Sequence, residues 1–97
     1  MIGYRLINPA ANELAQATET YENASVGLGQ DFLDEFDAAL EYICLMPDAW
    51  HMIDNDFRRY HMHRFPYSII YRKDGDDIIV TSIFHQHRKP NSWRSIQ

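Results

Sequence analysis

Near Phe57 the spacing of apolar residues changes, and that change limits the folds open to this chain. Before Phe57 the apolar residues return every three or four positions; after it they alternate. Helix-forming sequence grouped ahead of strand-forming sequence argues for an α+β layer, not for alternating β-α-β units. The chain has 97 residues, of which 45% are apolar, enough for one domain (residues 1–97) with a single modest core.

Ile2–Ile7 reads as a strand, with Tyr4 and Leu6 on one side. Asn8 is placed to cap a helix and Pro9 to occupy its first position. Ala10, Leu14, Thr18 and Tyr21 recur at helical spacing, so the spacing predicts a first helix from Pro9 to Asn23. Gly27 and Gly29 mark a short connection. Phe32, Leu33, Phe36, Leu40 and Ile43 then share one face of a second helix, which ends near Met46 because Pro47 disfavours helix at the residue before it. The two form a helical hairpin.

Three strands follow: Phe57–His63, Tyr67–Lys73 and Asp76–His85. Pro66 separates the first two, and Asp74-Gly75 is the signature of a two-residue hairpin turn. The register counted from that turn sets Lys73 against Asp76, Arg72 against Asp77, Ile70 against Ile79, Ile69 against Val80 and Arg64 against His85. Strict alternation puts Tyr67, Ile69, Tyr71, Ile78, Val80 and Phe84 on one face, and Ser68, Ile70, Arg72, Ile79, Thr81, Ile83 and His85 on the other. Two helices cover one face only. The second is left to a partner or to the tail after Pro90, where Trp93 is expected to fold back on the sheet.

Charge divides at the same place as period. Residues 1–56 carry eleven acids and one base, Arg5; residues 57–97 carry eight bases and three acids, and four of the five histidines. The acids are read as the solvated side of the hairpin, the bases as a surface suited to an anionic partner. Lys73 and Arg72 are discounted as hairpin partners of Asp76 and Asp77. Arg59, Arg64 and Arg88 have no obvious local acid, and arginine suits bidentate contact with phosphate or carboxylate. His85 near Arg64 and Arg88 is the one group that resembles an acid–base site: the imidazole moves a proton near neutral pH and a guanidinium stabilises developing negative charge. The pairs His61/His63 and His85/His87 invite a metal reading, but two strands apart they stand too far from one another for one ion. No cofactor motif is present. A single cysteine, Cys44, fits a reducing compartment, and no signal peptide or membrane span is visible, so a cytoplasmic protein is expected.

Arg64-Phe65-Pro66-Tyr67, Ile69-Ile70-Tyr71-Arg72, the Asp-Gly turn, Ile79 to His85-Gln86-His87-Arg88-Lys89-Pro90 and Trp93 together resemble the RelE/ParE superfamily of bacterial toxins. Tyr21-Glu22, Gly27-Leu28-Gly29, Phe32-Leu33, Glu35 and the run from Ala39 to Pro47 are similar to that family's helical hairpin. The resemblance implies a β-α-α-β-β-β fold and a type II toxin held inactive by a cognate antitoxin in a hetero-oligomer. It also implies one of two targets. ParE-like members poison DNA gyrase and are not known to cleave RNA; RelE-like members cleave mRNA on the ribosome, which here would fall to Arg59, Arg64, His85 and Arg88. Few lysines, a net charge of −5, the Phe-Pro-Tyr segment and the spacing of His85 and Arg88 favour the gyrase reading. A relative that only binds its antitoxin is the third alternative.

Overall fold

A computed structural model describes residues 3–86 of the chain. The elements are β1 (Tyr4–Leu6), α1 (Asn8–Ala24), α2 (Leu28–Leu45), β2 (His51–Met52), β3 (Phe57–His61), β4 (Tyr67–Asp74) and β5 (Asp77–His85). They form a five-stranded sheet in the order β1-β5-β4-β3-β2, antiparallel except for β1, which joins β5 in parallel. The two helices pack on this sheet, so the expected α+β architecture stands, with one addition: β2 is a two-residue edge strand that alternation alone does not reveal.

Local details depart from expectation in α1. Its N-cap is Ile7, with no side-chain cap, so Asn8 opens the helix instead of capping it, and Pro9 lies in the first turn, where its missing N–H costs nothing. The connection to α2 needs both of its glycines. Gly27 has φ 90°, a left-handed conformation that side chains disfavour. Gly29 sits where α2 crosses α1 so closely that a Cβ would stand 2.9 Å from the Thr18 carbonyl oxygen. The Glu22 carboxylate accepts the N–H groups of Gly27 and Gly29 at 3.0–3.1 Å, which satisfies donors at the start of α2.

The turn and the register differ from the expected ones. The turn residues are Gly75 and Asp76, with Gly75 at φ 62°, so Asp74 and Asp77 face each other: β4 runs one residue further and β5 begins one residue later. Lys73 therefore opposes Ile78, and Arg72 opposes Ile79. Tyr71 pairs with Val80 but Ile70 pairs with Ser82, which leaves Thr81 as an extra residue on β5. This bulge inverts the alternation of everything after it. Ile83 moves to the helix side opposite Ile69, Phe84 moves to the far side opposite Ser68, and His85 opposes Tyr67, not Arg64.

The core follows from this arrangement. Ala10 and Ala17 of α1 and Phe32, Phe36, Ala39, Leu40 and Ile43 of α2 are buried with Ile69, Tyr71, Ile78, Val80 and Ile83 of the sheet. Each large apolar side chain so buried contributes about 1.5–3 kcal/mol. At one end, Tyr21, Phe32, Phe65 and Tyr67 form an aromatic corner with ring centroids 4.8–6.2 Å apart. Where β1 has ended, Glu13 of α1 accepts the Ile83 N–H at 3.0 Å and the Ser82 hydroxyl at 3.2 Å, which covers the exposed edge of β5. On the far face Ile70 and Ile79 are also closed to solvent. The tail after Pro90, with Trp93, lies outside the described residues.

Candidate functional site

Strand pairing sorts the cationic side chains by face. His51 pairs with Arg59 and Arg59 with Ile70; Arg5 pairs with Ile79 and Ile79 with Arg72; His61 pairs with Ser68. Paired residues project to the same side. Arg5, His51, Arg59, His61 and Arg72 therefore share the face turned away from the helices. Among them Arg59 and His61 stand two residues apart on β3, and His51 is one strand across.

The electrostatics of this face agree with the pairing. The His61 ring nitrogen Nδ1 is 2.6 Å from the Ser68 hydroxyl. Burial depresses the His61 pKa below its usual 6.5, and the positive charges of Arg59 and His51 push it further the same way. Arg59 Nε is closed off from solvent without a hydrogen-bond partner among the described residues. Burial first, and then the neighbouring cations, disfavour the charged imidazole, while the arginines of this face make it one that suits an anion.

Of the residues that the resemblance assigns to RNA cleavage, those described lie on both faces. Arg59 lies on the far face. Arg64, in the β3–β4 connection, reaches Asp31 of α2 at 3.2 Å and lies 5.3 Å from the Phe65 ring. His85 packs edge-on against Tyr67 at 5.0 Å between centroids. Arg64 and His85 thus flank the aromatic corner on the helix side. Arg88 falls outside the described residues, as do His87 and Trp93.

The ion pairs expected within the last hairpin are replaced by others. Lys73 donates to Asp48 at 2.9 Å, and Arg58 lies 3.6 Å from the same carboxylate. The hydrogen bond from Lys73 holds the Asp48 carboxyl below its ordinary range, with the charges of Lys73 and Arg58 adding to it. Arg72, discounted from sequence as a partner of Asp77, has no acid partner among the described residues and rejoins the far face. Arg5 and His51 were not singled out by sequence reading. The parallel pairing of β1 and the short strand β2 bring them there, and neither leaves a periodic signal. Among the described residues no group of three or more His, Cys, Asp or Glu side chains is arranged to hold a metal.

The β3–β4 connection is tied to α2 by a carboxylate. Glu35 accepts the backbone N–H groups of His63 and Arg64, both at 3.0 Å. With the Asp31–Arg64 contact this fixes the loop that carries the Arg64-Phe65-Pro66-Tyr67 segment.

Comparison with known proteins gives a consistent result. A family model described as the ParE toxin of type II toxin–antitoxin system, parDE, matches residues 4–90. Among solved structures, a chain from the chromosomal ParDE toxin–antitoxin system of P. aeruginosa superposes with a TM-score of 0.62 at 16% identity, covering 88% of this chain and 96% of that one. That likeness concerns the fold. Among curated proteins no sequence matches.

Proposed function

The chain belongs to the ParE toxin family of type II toxin–antitoxin systems, and within that family we propose that it acts by binding and inhibiting DNA gyrase, in the cytoplasm, without cleaving RNA. Its partner is a cognate antitoxin. No helix among the described residues is long and apolar enough to cross a membrane.

The observation that carries the gyrase reading is that, among the described residues, each guanidinium on the His85 side of the sheet meets a carboxylate, Arg64 with Asp31 and Arg58 with Asp48. Acid–base cleavage needs a proton-transfer group and a charge-stabilising group within reach of one phosphate. Arg59 projects from one face of the sheet and His85 from the other. Arg64, on the same side as His85, is engaged by Asp31, and Arg88 lies outside the described residues. A binding inhibitor needs no such convergence. A second reading, ribosome-dependent cleavage of mRNA, draws on the cationic far face of Arg5, Arg59 and Arg72, which would attract a phosphate backbone.

Induced expression in a bacterium, followed by assay of purified gyrase, separates these readings. The expected result is filamentation with intact mRNA, and loss of supercoiling activity when the chain is added to gyrase in vitro. Codon-positioned cuts in mRNA with unimpaired gyrase would establish the ribonuclease reading instead. Unaltered growth, with antitoxin binding retained, would leave only the binding relative.

A further inference from the structure

The far face of the sheet is closed to water at its centre, although both helices lie on the other side. Ile70 is 1% exposed and Ile79 0%, yet neither belongs to the core that the helices cover. An antiparallel sheet with one solvated face sets polar residues on that face. Here the far face carries Phe57, Ile70, Ile79 and Phe84, placed there by their pairing with Arg72, Arg59 and Ser68. On a bare sheet, neighbouring side chains shield an isoleucine from the flanks and leave its tip in water. Arginine stems lie readily over apolar surface, and Arg59 stands opposite Ile70, Arg72 opposite Ile79. Those stems do not account for Arg59 itself, whose Nε is closed to solvent without a hydrogen-bond partner among the described residues. The cover therefore extends above the arginine layer.

Where the described chain stops points to what supplies that cover. β5 ends at His85, and the Gln86 N–H donates to the Pro66 carbonyl at 2.8 Å. The sequence continues through residues 87–97, with Trp93 and Ile96 as its large apolar side chains. From Gln86 to Trp93 an extended chain reaches about 23–25 Å. Ile70 and Ile79 lie about 10–20 Å back along the strands from the end of β5. One reversal of direction is enough to bring Trp93 over both, and Pro90-Asn91-Ser92 supplies turn-forming residues for it.

Charge sets the terms of the contact. Residues 87–97 include Arg88, Lys89 and Arg94 and no acid, and the far face presents Arg5, Arg59 and Arg72. Ionic attraction cannot hold such a segment there. Burial of apolar surface has to, and an indole ring beside a guanidinium adds a favourable contact.

We infer that residues 87–97 return across the far face as a strap, with Trp93 seated over Ile70 and Ile79 beside the side chains of Arg59 and Arg72. The inference holds whichever target the protein has. It gives the sheet a layer on each side, and it puts Arg88, Lys89 and Arg94 on the outer surface that an anionic target meets.

The test uses the full chain. NMR of the native protein should show nuclear Overhauser effects between the Trp93 indole and the methyl groups of Ile70 and Ile79, a readout that needs no variant. In Trp50→Phe, Trp93 is the one remaining tryptophan. Its emission should be blue-shifted and its quenching by acrylamide slow. Sodium chloride screens the repulsion between strap and face, so added salt should slow the quenching further. Trp93→Ala should lower the Tm by roughly 10 °C or more, and Trp93→Phe should recover much of that loss.

A freely quenched Trp93 without those Overhauser effects, and an unchanged Tm in Trp93→Ala, would overturn the inference and leave the closure to the arginine stems. Quenching that speeds up with salt would replace the apolar seat by an ionic one and overturn it too. Protection of Trp93 that disappears on dilution, together with dimers in sedimentation, would give the face to a second copy and likewise overturn the strap.

Discussion

Gly29 is where a single methyl group probes the helical hairpin most directly. A Cβ at this position would stand 2.9 Å from the Thr18 carbonyl oxygen and 3.0 Å from both Cβ and Oε1 of Glu22. The Glu22 carboxylate has some freedom to move. The Thr18 carbonyl is part of the α1 backbone and cannot retreat without moving the helix. Three effects compete in Gly29→Ala. Alanine is favoured over glycine within a helix by about 1 kcal/mol. Forcing a methyl into a close-packed contact costs about 1–3 kcal/mol. Displacing Glu22 weakens its hydrogen bonds to the Gly27 and Gly29 N–H groups, a loss on the order of 1 kcal/mol. The costs prevail, and the net destabilisation is about 1–3 kcal/mol. For a domain of this length each kcal/mol moves the melting temperature by about 4–8 °C, so Gly29→Ala should melt roughly 5–20 °C below the native chain in a calorimetric scan. Gly27→Ala has a different origin: open space around the Cβ but a φ of 90°, costing about 1 kcal/mol. Its Tm should lie between the other two. A Gly29→Ala variant melting at or above the native temperature would refute the close helix approach.

Two further outcomes follow from Tyr71 and His61. Tyr71 is fully buried and its hydroxyl donates to the Pro47 carbonyl at 2.7 Å, so Tyr71→Phe should cost about 1–3 kcal/mol in chemical denaturation. Burial also pushes the Tyr71 phenol above its usual 10. The folded chain therefore holds that proton more tightly than the unfolded one. Its stabilising effect is complete below pH 10 and is lost as pH rises beyond 10, and the Phe variant should lose less stability over that alkaline range; equal losses would refute it. For His61 the shift is downward, from burial first and then from Arg59 and His51. Its contribution to stability is present above pH 6.5 and is lost as pH falls from there through the folded pKa. Proton NMR should show the His61 midpoint below 6.5 and an upward move in Arg59→Gln, with no move in Arg64→Gln. A midpoint indifferent to Arg59 would separate these residues.

The helical hairpin and the strand meander could be read from sequence because their signals are local. Phe32, Phe36, Leu40 and Ile43 mark α2 by period, Pro47 ends it, and Gly27 and Gly29 mark its beginning. The strand register was not legible in the same way. Asp74-Gly75 and Gly75-Asp76 are both acceptable turn pairs, and the choice between them moves every partner. Opposed charges at Lys73 and Asp76 favoured the wrong one, because the true partner of Lys73 is Asp48, 25 residues away. The bulge at Thr81 has no glycine or proline to announce it. Its effect is visible only in what it achieves, the entry of Ile83 into the core. The expected pairing of Arg64 with His85 inherited these errors. Arg64 and His85 were set opposite each other by a register that the bulge and the turn both displace, and the engagement of Arg64 by Asp31 crosses 33 residues.

The division of charge near Phe57 takes on a different meaning once the partners are known. The acids of the helices are not a passive solvated surface: Glu13, Glu22 and Glu35 each accept backbone N–H groups that would otherwise lack partners, and so hold an edge, a turn and a loop in place. Nor are the bases a single patch. Arg58 and Lys73 converge on Asp48, and Arg64 on Asp31. What is left for an anionic target among the described residues is Arg5, Arg59 and Arg72, with His51 and His61 beside them, on the far face. Tyr4 and Arg5, neighbours in sequence on one strand, point to opposite faces. β1 thereby turns Tyr4 toward the helix layer and Arg5 toward the cationic face. The short parallel pairing of β1 with β5 is what adds Arg5 to that face, beside Arg72 across Ile79.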